Sequence, residues 1–267
     1  MLGLPHSVGS DIMHLTALNI SDLMISLWRG TMDCTKPDDK STWDWAVLWG
    51  NIWQQHGKAV KAALHYLCSS FDRPLCNIAE KLTSSYKAWE FLLYLYRLGP
   101  GILYDILPEK YFTNYCKLII RIWLVNQHRI TLANVRDAHL VLLSFVHELE
   151  LLYCQHLPTC IHFVHPGLHT LVHLPCEVLQ IRPPICSSQW TLERTIRNLG
   201  KEIKQHSNPF ANLSQQGIRY ACVNILMAII LDLEVNGSLG GALPCGSEDL
   251  KNRYILLWVQ DKHQHLL

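Results

Sequence analysis

The sequence has no long apolar run and no feature of a secretory leader. The longest uninterrupted apolar stretch extends from Ile225 to Leu231, whereas a helix that crosses a bilayer needs about 18 such residues. The first residues, MLGLPHSVGSD, lack the basic start and the apolar stretch of a signal peptide. We therefore expect no membrane-spanning segment, no membrane partner and no secretion.

The sequence also lacks a clear net charge and lacks C-x-x-C pairs. Its 23 Lys and Arg residues nearly balance its 22 Asp and Glu residues, whereas DNA-binding chains usually carry a basic excess. Its ten cysteines include no pair at the C-x-x-C spacing, which removes the commonest signal of a zinc ribbon. Any affinity for DNA must therefore come from a local basic patch, and we expect the thiols to stay reduced.

Composition and periodicity predict a folded, mainly helical protein. With 267 residues, of which 49% are hydrophobic and 17% charged, the chain can form one large domain or two small ones. Apolar residues recur at the three-and-four spacing of amphipathic helices, and Asp11 is a natural cap for the first helix. The predicted helices are 11–29, 57–70, 84–98, 108–128, 131–155, 190–205 and 213–234, and Tyr254 to Val259 is the one predicted strand.

Three tryptophans follow one another at intervals of four residues. Trp45, Trp49 and Trp53 would lie on one face of a helix at this spacing. We interpret them as an aromatic core seam rather than as a platform for stacking bases.

Histidines and cysteines are dense between residues 160 and 176. Within the LHTLVHL segment, His169 and His173 lie one helical turn apart and could together bind a metal. With Cys160 and His162 they form a hypothetical zinc site. The alternative, which we favour, is a set of packed or capping histidines, because no further well-spaced ligand is present.

The segment from Trp190 to Gln205 has two chemically different sides. At about 100° per residue, its apolar residues gather on one side and its cations on another, with Glu193 at the border. A carboxylate beside cations suits a metal held next to a phosphate backbone. The alternative is a solvated face in which Glu193 pairs with Arg197. The cations are Arg194, Arg197, Lys201 and Lys204.

Residues near both ends resemble CACTA-type (En/Spm) transposases. The C-terminal region of that family is similar to HTLVHLPCEVLQIRPPICSSQWTLERTIRNLGKEIKQHSNPFANLS, with a histidine-rich LVHLP-E helix followed by a W-x-x-E-R helix. Its D-x-M-H helix resembles DIMHLTALNISDLMISLW. The intervening DDKSTWDWAVLW and SYKAWEFLLYLYRLGPGILYDILPEKYF resemble transposase-like proteins of mushroom-forming fungi. The resemblance covers about residues 4 to 257.

The resemblance implies an RNase H-like core with a helical insertion and two-metal phosphoryl transfer on DNA. Asp11 would match the second catalytic aspartate and Glu193 the last acidic residue, together holding Mg²⁺ or Mn²⁺. Arg194 would contact phosphate or orient Glu193. His14, His169 and His173 would have auxiliary structural or DNA-positioning roles.

The resemblance departs from the family pattern at the first catalytic aspartate. Only ten residues precede Asp11, and none of them is acidic, so we expect an inactive fragment that holds no metal stably. Its fold class would be mainly α, a helical bundle that corresponds to the insertion and to the C-terminal part of an RNase H-like core, with little β structure. The implied segments are 1–33 (core remnant), 34–160 (insertion), 161–234 (His-rich and Glu-Arg helices) and 235–267 (loop and strand).

Three functional hypotheses follow, in order of preference. The first is a nuclear, transposase-derived remnant that binds the DNA backbone weakly. The second is a helical scaffold for protein contacts, whose surface comprises the three tryptophans and residues 86–96. Self-association of the chain is a further expectation. The third is a zinc-stabilised domain.

Overall fold

The computed structural model describes residues 9–66, 75–83, 86–203, 207–230, 248–251 and 254–256. These residues are mainly helical, which confirms the predicted fold class at that level. The α-helices are α1 (Ser21–Trp28), α2 (Gly50–Ala62), α3 (Ile78–Lys81), α4 (Ala88–Leu93), α5 (Gly99–Ile102), α6 (Glu109–Val125), α7 (Leu132–Leu149), α8 (Pro166–Gln180), α9 (Trp190–Glu202) and α10 (Pro209–Ile229).

Shorter helical stretches and one hairpin complete the described secondary structure. π-helical stretches cover Met13–Ile20, Tyr94–Leu98 and Glu150–Cys154. 3₁₀ stretches cover Lys40–Thr42, Ala63–Tyr66, Pro158–Phe163 and Pro184–Cys186. Strands β1 (Glu248–Lys251) and β2 (Tyr254–Leu256) pair antiparallel.

The chain divides into two compact units, Met1–Thr191 and Leu192–Leu267. The four-segment division expected from the resemblance stays a prediction. No helix in the described residues is both long enough and apolar enough to span a bilayer.

In the first unit, α6, α7 and α8 pack in succession, and α8 packs on the π-helical stretch before α1. The Asn114 side chain of α6 donates a hydrogen bond to the Phe145 carbonyl of α7 at 3.1 Å. A ring nitrogen of His139 lies 3.2 Å from the Val172 carbonyl of α8. Gly167 brings the start of α8 close to the π-helical stretch, since an added Cβ there would meet side chains of that stretch at 3.5 Å. These contacts fix the backbone of α8.

The core of the first unit is rich in aromatic residues, and several of their polar atoms are hydrogen-bonded, whereas the Trp45 indole N–H and the Tyr86 hydroxyl have no partner among the described residues. The Trp28 indole donates to the Tyr153 hydroxyl at 3.0 Å, and the Tyr96 hydroxyl donates to the Thr16 carbonyl at 3.1 Å. Because an unpaired buried polar group costs about 1–3 kcal/mol, these bonds let Trp and Tyr contribute their large apolar area to the core. The largest fully buried side chains include Trp28, Trp45, Tyr94, Tyr96, Tyr111, Tyr115, Phe145, Tyr153 and Phe163.

The three tryptophans predicted to share one helix face do not share it. Trp45 and Trp49 precede α2, which begins at Gly50, and the φ of 52° at Gly50 prevents one continuous helix from reaching Trp53. Trp45 instead stacks on Trp43, with ring centroids 5.5 Å apart. The predicted core position is confirmed for Trp45 and Trp53, whereas Trp49 is 66% exposed.

The second unit differs from the first in the burial of its residues. None of residues 192–203 and 207–230 is buried. α9 and α10 are connected by a hydrogen bond between Glu202 and Tyr220, and this bond, with some desolvation, raises the pKa of the Tyr220 hydroxyl.

Candidate nucleic-acid interface

Asp11 lies directly before the first helix, and both of its carboxylate oxygens accept hydrogen bonds. Oδ2 accepts the backbone N–H of His14 at 2.9 Å and lies 2.6 Å from the ring Nδ1 of the same residue. Oδ1 accepts the backbone N–H of Gln189 at 2.8 Å. The cap predicted for Asp11 is therefore present, and the same side chain also ties the first helix to the chain just before α9.

Ser10 and Glu177 form a second tie beside Asp11. The backbone N–H and the hydroxyl of Ser10 donate to the two carboxylate oxygens of Glu177, each at 2.8 Å. Gly9 packs so closely on α8 that an added Cβ would lie 2.9 Å from Ile181. Residues 9–11 are thus held along the C-terminal half of α8.

The geometry of Asp11 does not fit the metal ligand that the resemblance implies. Partial burial acts to raise the pKa of Asp11, but the hydrogen bonds from His14 and Gln189 outweigh it and lower the pKa. The charged carboxylate thus already accepts hydrogen bonds from protein N–H groups, and the Asp11 side chain is only 12% exposed. A Mg²⁺ ligand instead needs oxygen lone pairs open to the ion and its waters. We therefore assign Asp11 a structural role and derive no step through Mg²⁺ or Mn²⁺.

Glu193 is exposed on α9. It belongs to the second unit, whereas Asp11 belongs to the first, so their convergence into one site stays a prediction. Within the described residues, Glu193 and Arg197 form no ion pair, and both side chains are exposed, so a solvated helix face stays an open interpretation.

α9 carries its cations in an exposed row. Arg194, Arg197 and Lys201 are all exposed, and Lys204 lies outside the described residues. Neither arginine forms an ion pair with any residue that the structure describes. The apolar residues of the other side, Leu192, Ile196 and Leu199, are also 41–53% exposed.

His169 and His173 are exposed neighbours on α8. Their Nε2 atoms lie 3.0 Å apart, and their rings meet edge-on with centroids 4.6 Å apart. His14 is also partly exposed, with its ring held by Asp11. The structure thus joins the two helical histidines predicted as auxiliary residues.

The hypothetical zinc site does not form. The Cys160 thiol donates to Asp38 at 3.4 Å, while Nε2 of His162 lies 2.9 Å from the Asp33 carbonyl. No group of three or more His, Cys, Asp or Glu residues in the described chain is arranged to hold a metal.

The surface proposed for the scaffold hypothesis is largely internal. Trp45 and Trp53 are buried, and so are Tyr86, Tyr94 and Tyr96. The alternation of aromatic and aliphatic residues in this segment reflects core packing, and among the described aromatic residues of the proposed set only Trp49 is exposed.

Sequence reasoning did not identify Ser10, Glu177, Gln189 or Asp38 as partners in these networks. A signal was present for Glu177, which is the glutamate of the LVHLP-E string. No local pattern pointed to Gln189, because its contribution is a backbone N–H.

Comparison of the chain with known protein families, with curated proteins and with solved structures gives no significant match.

Proposed function

We propose that the chain is a catalytically incomplete remnant of a CACTA-type DNA transposase that acts in the nucleus and binds the DNA phosphate backbone weakly through α9. The proposal rests on the resemblance of residues 11–28 and 169–214 to that family. The observation that carries the binding step is the exposed row of cations on α9, whose arginines have no ion-pair partner in the described residues.

The spacing of the cations suits a phosphate backbone. Arg194 and Lys201 are separated by seven positions, which corresponds to about 10 Å along a helix. Duplex DNA carries about one charge per 1.7 Å of its axis, so this row can contact several phosphates. Guanidinium groups bind phosphate oxygens through paired N–H donors, and each contact releases condensed counterions.

Catalysis is not part of the proposal. Asp11 accepts hydrogen bonds from His14 and Gln189 through its two carboxylate oxygens, and the proposal assigns it no catalytic step. Binding should therefore be sequence-independent and should not require Mg²⁺.

The test is fluorescence anisotropy with a labelled duplex between about 50 and 200 mM salt. The Arg194→Ala/Arg197→Ala variant should bind more weakly, and the slope of log K against log salt should decrease by about 2. A matched control is Lys58→Ala/Lys61→Ala, which removes two exposed cations at the same spacing from α2 and should leave the slope unchanged. Equal slopes for wild type and the α9 variant would contradict the proposal.

The second candidate is a helical interaction scaffold that self-associates through α10. The observation that favours it is the exposure of apolar residues on this helix, including Phe210 at 85% and Ile229 at 72%. Arg219 is the only charged residue of α10, so two copies could face each other without strong repulsion. Sedimentation velocity should show a concentration-dependent dimer that Ile225→Asp abolishes. A monomer at all concentrations would exclude this candidate.

A further inference from the structure

The exposed histidine pair of α8 has the geometry of a chelating site. His169 and His173 differ by one helical turn, and their Nε2 atoms approach to 3.0 Å. A metal–imidazole bond is about 2.0–2.1 Å long, so an ion bonded to both nitrogens would see them at an angle of about 95°. This angle is close to the 90° between adjacent ligands in tetragonal and octahedral complexes.

The helix that carries the pair is held rigidly on its other side. Leu168, Leu171 and Leu174 are fully buried, and the Val172 carbonyl contacts the ring of His139 on α7. The two imidazoles therefore project from a fixed backbone, and little ordering of the protein is needed before an ion binds.

We propose that His169 and His173 bind one late first-row divalent ion, Cu²⁺ or Ni²⁺, through their Nε2 atoms, with water at the remaining positions. Affinity for nitrogen ligands increases toward Cu²⁺ in the divalent series, and tetragonal nitrogen–oxygen coordination is typical of Cu²⁺ and Ni²⁺. A structural Zn²⁺ site needs about four protein ligands, and the described residues provide no group of three.

Ion binding requires a change of tautomer. In the ion-free pair, one Nε2 must carry a proton to donate a hydrogen bond to the other. In the complex both Nε2 lone pairs bond to the ion, so that proton moves to Nδ1 of the same ring through solvent. No change in the buried core accompanies this step, because both rings are exposed.

The experiment is isothermal titration of the full chain with Ni²⁺ and, separately, with Cu²⁺ in glycine-containing buffer. We expect one ion per chain for each metal and no heat with Mg²⁺, which prefers oxygen ligands. His169→Ala and His173→Ala should each lower the affinity at least about tenfold, because a single imidazole has lost its chelating partner. Electron paramagnetic resonance of the Cu²⁺ complex should show two equatorial nitrogens.

Two controls separate this site from other donors. His165→Ala removes a histidine one position before α8 and should leave the affinity unchanged. Cys176→Ser removes an exposed thiol one turn after His173 and should also leave it unchanged. Unchanged affinity in both α8 histidine variants, or loss of binding in Cys176→Ser alone, would overturn the proposal. Neither result depends on DNA binding.

Discussion

Two apolar helices of this protein have opposite environments. α8, in the first unit, buries Leu168, Leu171 and Leu174 completely, whereas α10, in the second unit, has no buried residue. Both helices are predominantly apolar, so apolar content alone does not determine burial. In the first unit, α7 and the π-helical stretch before α1 pack on α8 and cover its apolar side chains.

We therefore expect the stability of this chain to be concentrated in the first unit. Its core residues are stabilised by buried apolar surface and by specific hydrogen bonds, such as the one that Asn114 donates to the Phe145 carbonyl. An isolated helix without a packed face is only marginally stable in water. Four tests probe this distribution of stability, beginning with the largest expected effect.

Replacement of a phenylalanine by alanine should destabilise the protein far more in the first unit than in the second. Phe145 is fully buried in α7, whereas Phe210 is 85% exposed in α10. Phe145→Ala should lower the free energy of unfolding by about 3–5 kcal/mol through lost burial and a cavity. Phe210→Ala should change it by less than about 0.5 kcal/mol. Urea denaturation measures both free energies, and similar losses in the two variants would show that the first unit does not hold most of the stability.

A buried histidine should make the first unit sensitive to acid. Burial lowers the pKa of His56 from 6.5 to about 4, because the charged imidazole is disfavoured. As the pH falls from 6.5 toward 4, the unfolded chain binds a proton that the folded chain does not bind. The free energy of unfolding should therefore decrease by about 3 kcal/mol across this window and then level off.

His56→Gln should remove this part of the pH dependence. Chemical denaturation at neutral pH and at about pH 5 measures the difference between wild type and variant. His128→Gln changes an exposed histidine and should keep the wild-type dependence. If the free energies of unfolding of wild type and His56→Gln changed in parallel with pH, His56 would not be the source of the acid sensitivity.

The two acidic residues predicted to be catalytic should contribute differently to stability. Asp11→Ala should lower the free energy of unfolding by about 1 kcal/mol through loss of the cap. Asp11→Asn should restore part of it, because Asn also caps helices but has one acceptor oxygen for the two N–H groups that Asp11 accepts. Glu193→Ala, on exposed α9, should have no measurable effect. Because its pKa is lowered, Asp11 stabilises the fold above the unfolded-state pKa, and this contribution disappears as the pH falls through the folded-state value. Failure of Asn to rescue would argue against the capping role.

The smallest of the losses expected in the first unit should come from an ion pair at its surface. Arg121 and Asp137 lie 3.3 Å apart, and the Asp137 side chain is 53% exposed. Asp137→Ala should lower the free energy of unfolding by no more than about 1 kcal/mol, since exposed pairs are screened by water and salt. Thermal denaturation at low and high salt measures it. If Asp137→Ala lost as much unfolding free energy as Phe145→Ala, burial would not determine how much a residue of this unit contributes to stability.

Much of the local structure was predictable because it depends on neighbouring residues. Thr131 caps α7 by accepting the Asn134 N–H at 3.2 Å, at the start expected from periodicity, and α9 begins at Trp190 as predicted. The arrangement of the tryptophans was not predictable from spacing, because the left-handed backbone at Gly50 interrupts the pattern.

Local sequence patterns were sufficient for the mainly helical class, the positions of most helices, the capping role of Asp11 and the two sides of α9, since helical periodicity and capping act over only a few residues. Long-range packing was needed to establish that α8 has a buried face while α10 has no buried residue. It also decided that Asp11 binds the backbone of Gln189, 178 residues away, and that Cys160 turns to Asp38 rather than toward the histidines. Such contacts depend on the path of the whole chain, because they join residues whose local patterns carry no information about each other.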